Sequence, residues 1–174
     1  AQNFNPFSPN AAPMTKEGIF ESLLVYNPAD GNAVPRLAET WETSEDGLTQ
    51  TFHLREGVKW SDGEPFTATD ITTSFDIQRK LFEGSFTYLD KVEATDDTTV
   101  TFTFNRAFSP ALYEIGQQLI VPDHIWADEK DPEKFENKEP VGTGPFTEIS
   151  NFQAQSFDLL PNPEYWDDVK IAGV

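Results

Sequence analysis

The chain reads as α+β, or as a mixed sheet carrying helices, and three observations lead there. Apolar and polar residues alternate through 37–55, 92–104 and 142–162, each stretch broken by a turn or loop. Helical spacing of apolar residues marks 15–24 and 67–82. The two patterns follow one another without the even rhythm of a βαβ array.

The elements follow in order. Pro6, Pro9 and Pro13, with several Asn and Gln residues, make the opening an extended or looped arm. Thr15 is placed to cap a helix running through 16–24, with Ile19, Phe20, Leu23 and Leu24 as its stripe. Asn27-Pro28 and Asp30-Gly31 mark a turn. A hairpin follows around Asp46-Gly47, with Phe52 and Leu54 facing away from Thr51, His53 and Arg55. Trp41, Phe52 and Trp60 are expected in its core. Residues 61–65 form another turn cluster. Thr67 and Asp70 then suit a short-armed capping box for a helix with Ile71, Phe75, Leu81 and Phe82 inward, ended near Gly84. Asp96-Asp97 turns a second hairpin, whose Val100, Phe102 and Phe104 oppose Thr99, Thr101 and Thr103. Pro110 opens a short helix. Residues 128–140 are charged and aperiodic, hence a surface loop or short helix. Residues 142–162 form a last hairpin with Phe157 and Leu159 on one face.

Composition narrows the function. With 12 Lys+Arg against 30 Asp+Glu the formal charge is −18, so a nucleic-acid partner is disfavoured by phosphate repulsion. Such acidity serves solubility, or fits a salty or extracytoplasmic setting. The 174 residues fit one domain, or one and a half, and suffice for a core without disulfide or metal. No apolar run is long enough to span a membrane, and no basic-then-apolar leader opens the chain.

Catalytic chemistry fails part by part. There is no Cys, and His53 and His124 lie far apart, so a zinc site lacks ligands. His53 alternates with Thr51 and Arg55, as a surface histidine on a strand does. Neither a G-x-S-x-G elbow nor an S-x-x-K pair occurs. Gly142-Thr143-Gly144 is followed by Pro145 and not by Gly-Lys-Ser/Thr, so a tight turn with positive φ is expected there and not a phosphate cradle. Asp62 with Glu64, or Asp96 with Asp97, are too few oxygen ligands for calcium. No catalytic residue, metal or cofactor is therefore expected. The 15 Phe and 4 Trp suit a core, and equally the lining of a peptide or sugar site.

Several motifs occur in a telling order: Ile19-Phe20-Glu21, Leu37-Ala38-Glu39-Thr40-Trp41, Thr51-Phe52-His53-Leu54-Arg55 and Gly57-Val58-Lys59-Trp60-Ser61-Asp62-Gly63. Pro65-Phe66-Thr67-Ala68 with Asp70, Gly142-Thr143-Gly144-Pro145-Phe146 and Asn162-Pro163-Glu164-Tyr165-Trp166 complete the series. In this the chain resembles family 5 extracellular solute-binding proteins, the oligopeptide-, dipeptide- and nickel-binding receptors of bacterial ABC importers. The resemblance implies part of a type II periplasmic-binding-protein-like fold (family 5, cluster C), with the second lobe absent. Family members are far longer, so the chain looks like about the first third of one, without the strand that usually opens the fold. Residues 1–42 would be a first-lobe segment, 43–140 a small inserted domain, and 141–174 the return to the first lobe.

The implied function is capture of a peptide outside the cytoplasmic membrane and delivery to an ABC permease. An oligosaccharide is the close second ligand, because the Asn3-Phe4-Asn5-Pro6-Phe7 opening also resembles that of sugar-binding relatives. A carbohydrate-active enzyme is the rival from another class, and a plain interaction domain a third. By position in the family, Ser8, Pro9, Asn10 and Ala11 would present backbone groups to the ligand, and Gly142, Thr143, Gly144 and Phe146 would line the cleft floor. A monomer is implied, in the periplasm or held at the cell surface by a lipid anchor.

Overall fold

The computed structural model describes residues 3–151 and 156–168. They divide into two compact units, each built from separated stretches of chain. One comprises residues 22–56 and 67–123; the other comprises the residues up to Glu21, then 57–66, and those from His124 onward.

The first of these units is a four-stranded antiparallel sheet backed by a helix. Strands β1 (Leu24–Tyr26) and β2 (Ala33–Pro35) form a separate small hairpin. Its turn places Gly31 at φ 73°, a left-handed conformation that glycine adopts without strain. In the main sheet, β3 (Ala38–Thr43), β4 (Thr49–Leu54), β5 (Leu89–Asp96) and β6 (Thr99–Phe104) run in the order β3-β4-β6-β5. Both expected hairpins are therefore present. Gly47, at φ 69°, closes the first, and the Asp96 carboxylate accepts the Thr98 N–H at 2.8 Å in the turn of the second. Alternation sorts the faces as period-2 geometry requires. Phe52, Val100 and Phe102 are fully buried, with Leu54 and Phe104 nearly so, while the Thr51–Thr101 pair lies on the outer face.

Helix α1 (Ala68–Leu81) covers the inner face. The Thr67 N–H donates to the Asp70 carboxylate at 2.8 Å, closing the capping box the sequence suggests. Phe75 meets Phe102 edge-on at 4.9 Å and Phe86 at 5.5 Å. The inward stripe is Ile71, Ser74, Phe75, Ile77 and Gln78. Phe82, expected inside, lies beyond the last turn and is 44% exposed. Trp41 is half-buried and not a core residue, because β3 is an edge strand with no neighbour on one side. Helix α2 (Ala111–Gly116) starts directly after Pro110 as expected.

The short α3 (Asp123–Trp126) starts on the last residue of the first unit and continues in the other, which holds the hairpin of β7 (Phe146–Ser150) and β8 (Asp158–Pro161). Leu159 is buried, and residues 128–140 form a loop as expected.

The helix expected over 16–24 does not form. A single wide turn occupies Thr15–Ile19, with Met14 and Glu17 left-handed at φ 62° and 67° and Lys16 extended. Ile19 and Phe20 donate to the Met14 and Thr15 carbonyls at 3.1 Å, and the chain continues extended. Residues 18–24 are buried without interruption. The spacing that suggested a one-sided helix belongs instead to a segment buried on every side, which periodicity cannot tell from a helix.

Candidate ligand loop and its glycine clamp

The arm before the wide turn is held by its own side chains. The Asn5 amide donates to the Pro132 carbonyl at 2.7 Å and, more weakly, to that of Glu133 at 3.4 Å, while its oxygen accepts the Phe7 N–H at 2.8 Å. Phe7 packs edge-on against Trp126 at 5.3 Å, and Trp126 against Phe135 at 4.9 Å. At the tip, Ser8 is nearly buried; its hydroxyl accepts from the Asn3 amide at 3.1 Å and from the Asn10 N–H at 3.2 Å. Ala11 N–H donates to the Ser8 carbonyl at 3.3 Å. Pro9 and Asn10 are exposed and Ala11 half-exposed. The N–H groups of Ser8, Asn10 and Ala11, expected to be free, are thus taken up inside the arm, and Pro9 and Asn10 stand exposed at its tip.

Gly142, Thr143, Gly144 and Phe146 are all buried. Neither glycine has a positive φ, which corrects the expected left-handed turn. Their role is close approach. A Cβ on Gly142 would fall 2.1 Å from the Ile19 carbonyl oxygen, and one on Gly144 would fall 2.5 Å from that of Gly18. The Gly144 N–H instead donates to the Ile19 carbonyl at 2.8 Å, and Gly142 exchanges hydrogen bonds with Ser61 through N–H to hydroxyl (3.3 Å) and carbonyl to N–H (3.0 Å). Asn162 fastens the far side, donating its amide to the Gly144 carbonyl at 2.9 Å and its N–H to that of Pro145 at 2.8 Å. Thr143 is fully buried and its hydroxyl has no hydrogen-bond partner among the described residues.

The WSDG and NPEYW motifs make contacts within the same unit. Trp60 is fully buried against Phe66, and its N–H donates to the Glu64 carbonyl at 2.8 Å. Trp166 donates its indole N–H to Glu21 at 2.9 Å, and the Tyr165 hydroxyl reaches the same carboxylate at 3.4 Å. Glu21 is 1% exposed, so two aromatic donors satisfy a carboxylate taken out of water. Asn5, Glu21 and Asn162 were the anchors that motif reading passed over. Each stood inside a motif already noticed, but nothing in spacing says that a polar residue there is buried. His124 meets Asp62 at 2.8 Å, and His53 is exposed on β4.

The family model for bacterial extracellular solute-binding proteins, family 5 middle, matches residues 32–174. The chain belongs to this family. Within it, the dipeptide-binding protein of Escherichia coli is 33% identical over 79% of the chain and 30% of its own length. The nickel-binding periplasmic protein of the same organism is 32% identical over 95% of the chain and 33% of its own. A crystal structure of a periplasmic oligopeptide-binding protein of an oligopeptide ABC transporter from Thermotoga maritima, with mannohexaose bound, superposes with a TM-score of 0.85 at 29% identity. It covers 95% of the chain and 32% of that protein. The chain spans about a third of the length of the curated relatives it matches. The family is one of extracellular solute-binding proteins. No helix among the described residues is long and apolar enough to cross a membrane.

Proposed function

We propose that the protein carrying this chain is the solute-binding component of an ABC importer, which captures a peptide outside the cytoplasmic membrane and hands it to the permease without chemical change. The observation that supports this best is the fold shared over 95% of the chain with a periplasmic oligopeptide-binding protein. The loop of Ser8, Pro9, Asn10 and Ala11 meets the peptide, with its exposed carbonyl groups accepting from peptide N–H groups in the manner of strand addition. Gly142, Thr143, Gly144 and Phe146 lie beneath the cleft and set the position of residues 18–19. The lobe boundaries near residues 42 and 141, the monomeric state and a lipid anchor belong to the same proposal.

An oligosaccharide is the second reading, favoured by the mannohexaose in the Thermotoga relative. Mass spectrometry of solute released from the purified full-length protein decides between them. Calorimetry with the recovered solute then tests for saturable binding with no product formed. A glycan in place of a peptide would reverse the order of the two readings, and turnover of the solute would overturn both.

A further inference from the structure

Within the unit of residues 22–56 and 67–123 lies a hollow of about 460 Å³, lined by Gly84, Ser85, Phe86, Thr87, Tyr88, Arg106, Phe108, Glu114 and Gln118. Its apolar side is aromatic: Tyr88 stacks on Phe108 at 4.2 Å and meets Phe86 at 6.3 Å. Phe86 holds a left-handed backbone at φ 55°, directly after Gly84 and Ser85 turn the chain from α1 toward β5. Burial first, and then the nearby Glu114 carboxylate, raise the Tyr88 hydroxyl well above its ordinary pKa, which places Glu114 beside the aromatic wall.

The charges on the hollow are the unusual part. Arg106 and Glu114 both line it, yet no ion pair joins them among the described residues; the Arg106 guanidinium reaches Thr87 Oγ1 at 3.5 Å. A concave surface that carries a few polar groups of both signs is suited to a ligand carrying the complementary charges. A guanidinium takes a carboxylate in two parallel hydrogen bonds, and a carboxylate takes an ammonium.

We infer that this hollow binds a free amino acid as its zwitterion, with the α-carboxylate on Arg106, the α-ammonium on Glu114 and an aromatic side chain against Phe86 and Phe108. The volume suits one residue or a very short peptide. The site is distinct from the loop of residues 8–11 and goes beyond the transport reading, which stands or falls without it.

The test is calorimetry on the full-length protein with phenylalanine, N-acetylphenylalanine and phenylalanine amide. Phenylalanine should bind saturably with a Kd of about 1 mM, and each blocked analogue about tenfold more weakly. R106Q and E114Q should each weaken phenylalanine about tenfold while unfolding at the wild-type temperature. The analogue series on the wild type needs no variant to fold. Absence of saturable heat, equal binding of the blocked analogues, or full phenylalanine binding in both variants would each overturn the assignment. In the last case the amino acid sits elsewhere, and the transport reading is untouched.

Discussion

Replacing Gly142 by alanine puts a methyl carbon 2.1 Å from the Ile19 carbonyl oxygen, a backbone atom that no rotamer change moves. Overpacking usually costs about 1–3 kcal/mol, and this position should stand at or above the upper end, seen as a lower urea midpoint at unchanged slope. The neighbouring Thr143 carries the opposite expectation. Its buried hydroxyl lacks a partner, so Thr143→Val, nearly the same shape, should leave stability unchanged or raise it by up to about 1 kcal/mol. A loss of that size would reveal a partner for the hydroxyl. Trp60, fully buried against Phe66, should cost about 3–5 kcal/mol on truncation to alanine in the same melts. Of these three residues only Trp60 was legible beforehand. The glycines were noticed, but for the wrong property: a sequence shows that a Cβ is absent and not whether φ or a neighbouring backbone requires it.

Element by element, what could be read depended on whether local chemistry decided the outcome. Both sheet hairpins and α1 follow from alternation, turn residues and a capping box, all written within a few residues of one another. The helix over 16–24 failed because burial on every side erases the one-sided stripe that periodicity measures. A related blind spot surrounds Asp70. Its capping role is local, yet it also accepts the Asp123 N–H at 2.7 Å from 53 residues away. Asp70→Ala should therefore cost more than a lost cap, about 2–4 kcal/mol, because two backbone donors lose their acceptor at once. Thr67→Ala, which leaves the Asp123 contact in place, should cost about 1 kcal/mol. Equal losses for the two would show that the long-range bond contributes nothing.

Across the whole molecule, a charge of −18 makes the folded state repel itself, so added salt should raise the melting temperature in a thermal scan. Acid acts through particular groups. Asp46 lies below the usual carboxylate range because the Ser44 hydroxyl and then the Leu48 N–H donate to it, and Asp96 because the Thr98 N–H does. A depressed folded pKa adds stability that is present above the unfolded value and is lost as pH falls through the folded one. D46N/D96N should therefore flatten the acid limb of melting temperature against pH by lowering the plateau above it, while leaving the most acidic points near the wild-type values. At this scale the candidate site was the least readable part, since it is made from distant stretches. The motifs and the family could be named from the residues, whereas the burial of 142–144 against 18–19 could not.

That same clamp sets a timetable for synthesis. Residues 18–19 leave the ribosome long before residues 142–144, whose backbone they must touch, while the partners within each sheet hairpin emerge almost together. Contacts that close a long loop form late, after local pairs are in place. The early apolar segment around Ile19 and Phe20 must therefore wait for that cover while more than a hundred further residues are made. During that interval it is the stretch of nascent chain most exposed to mispairing and to capture by a chaperone.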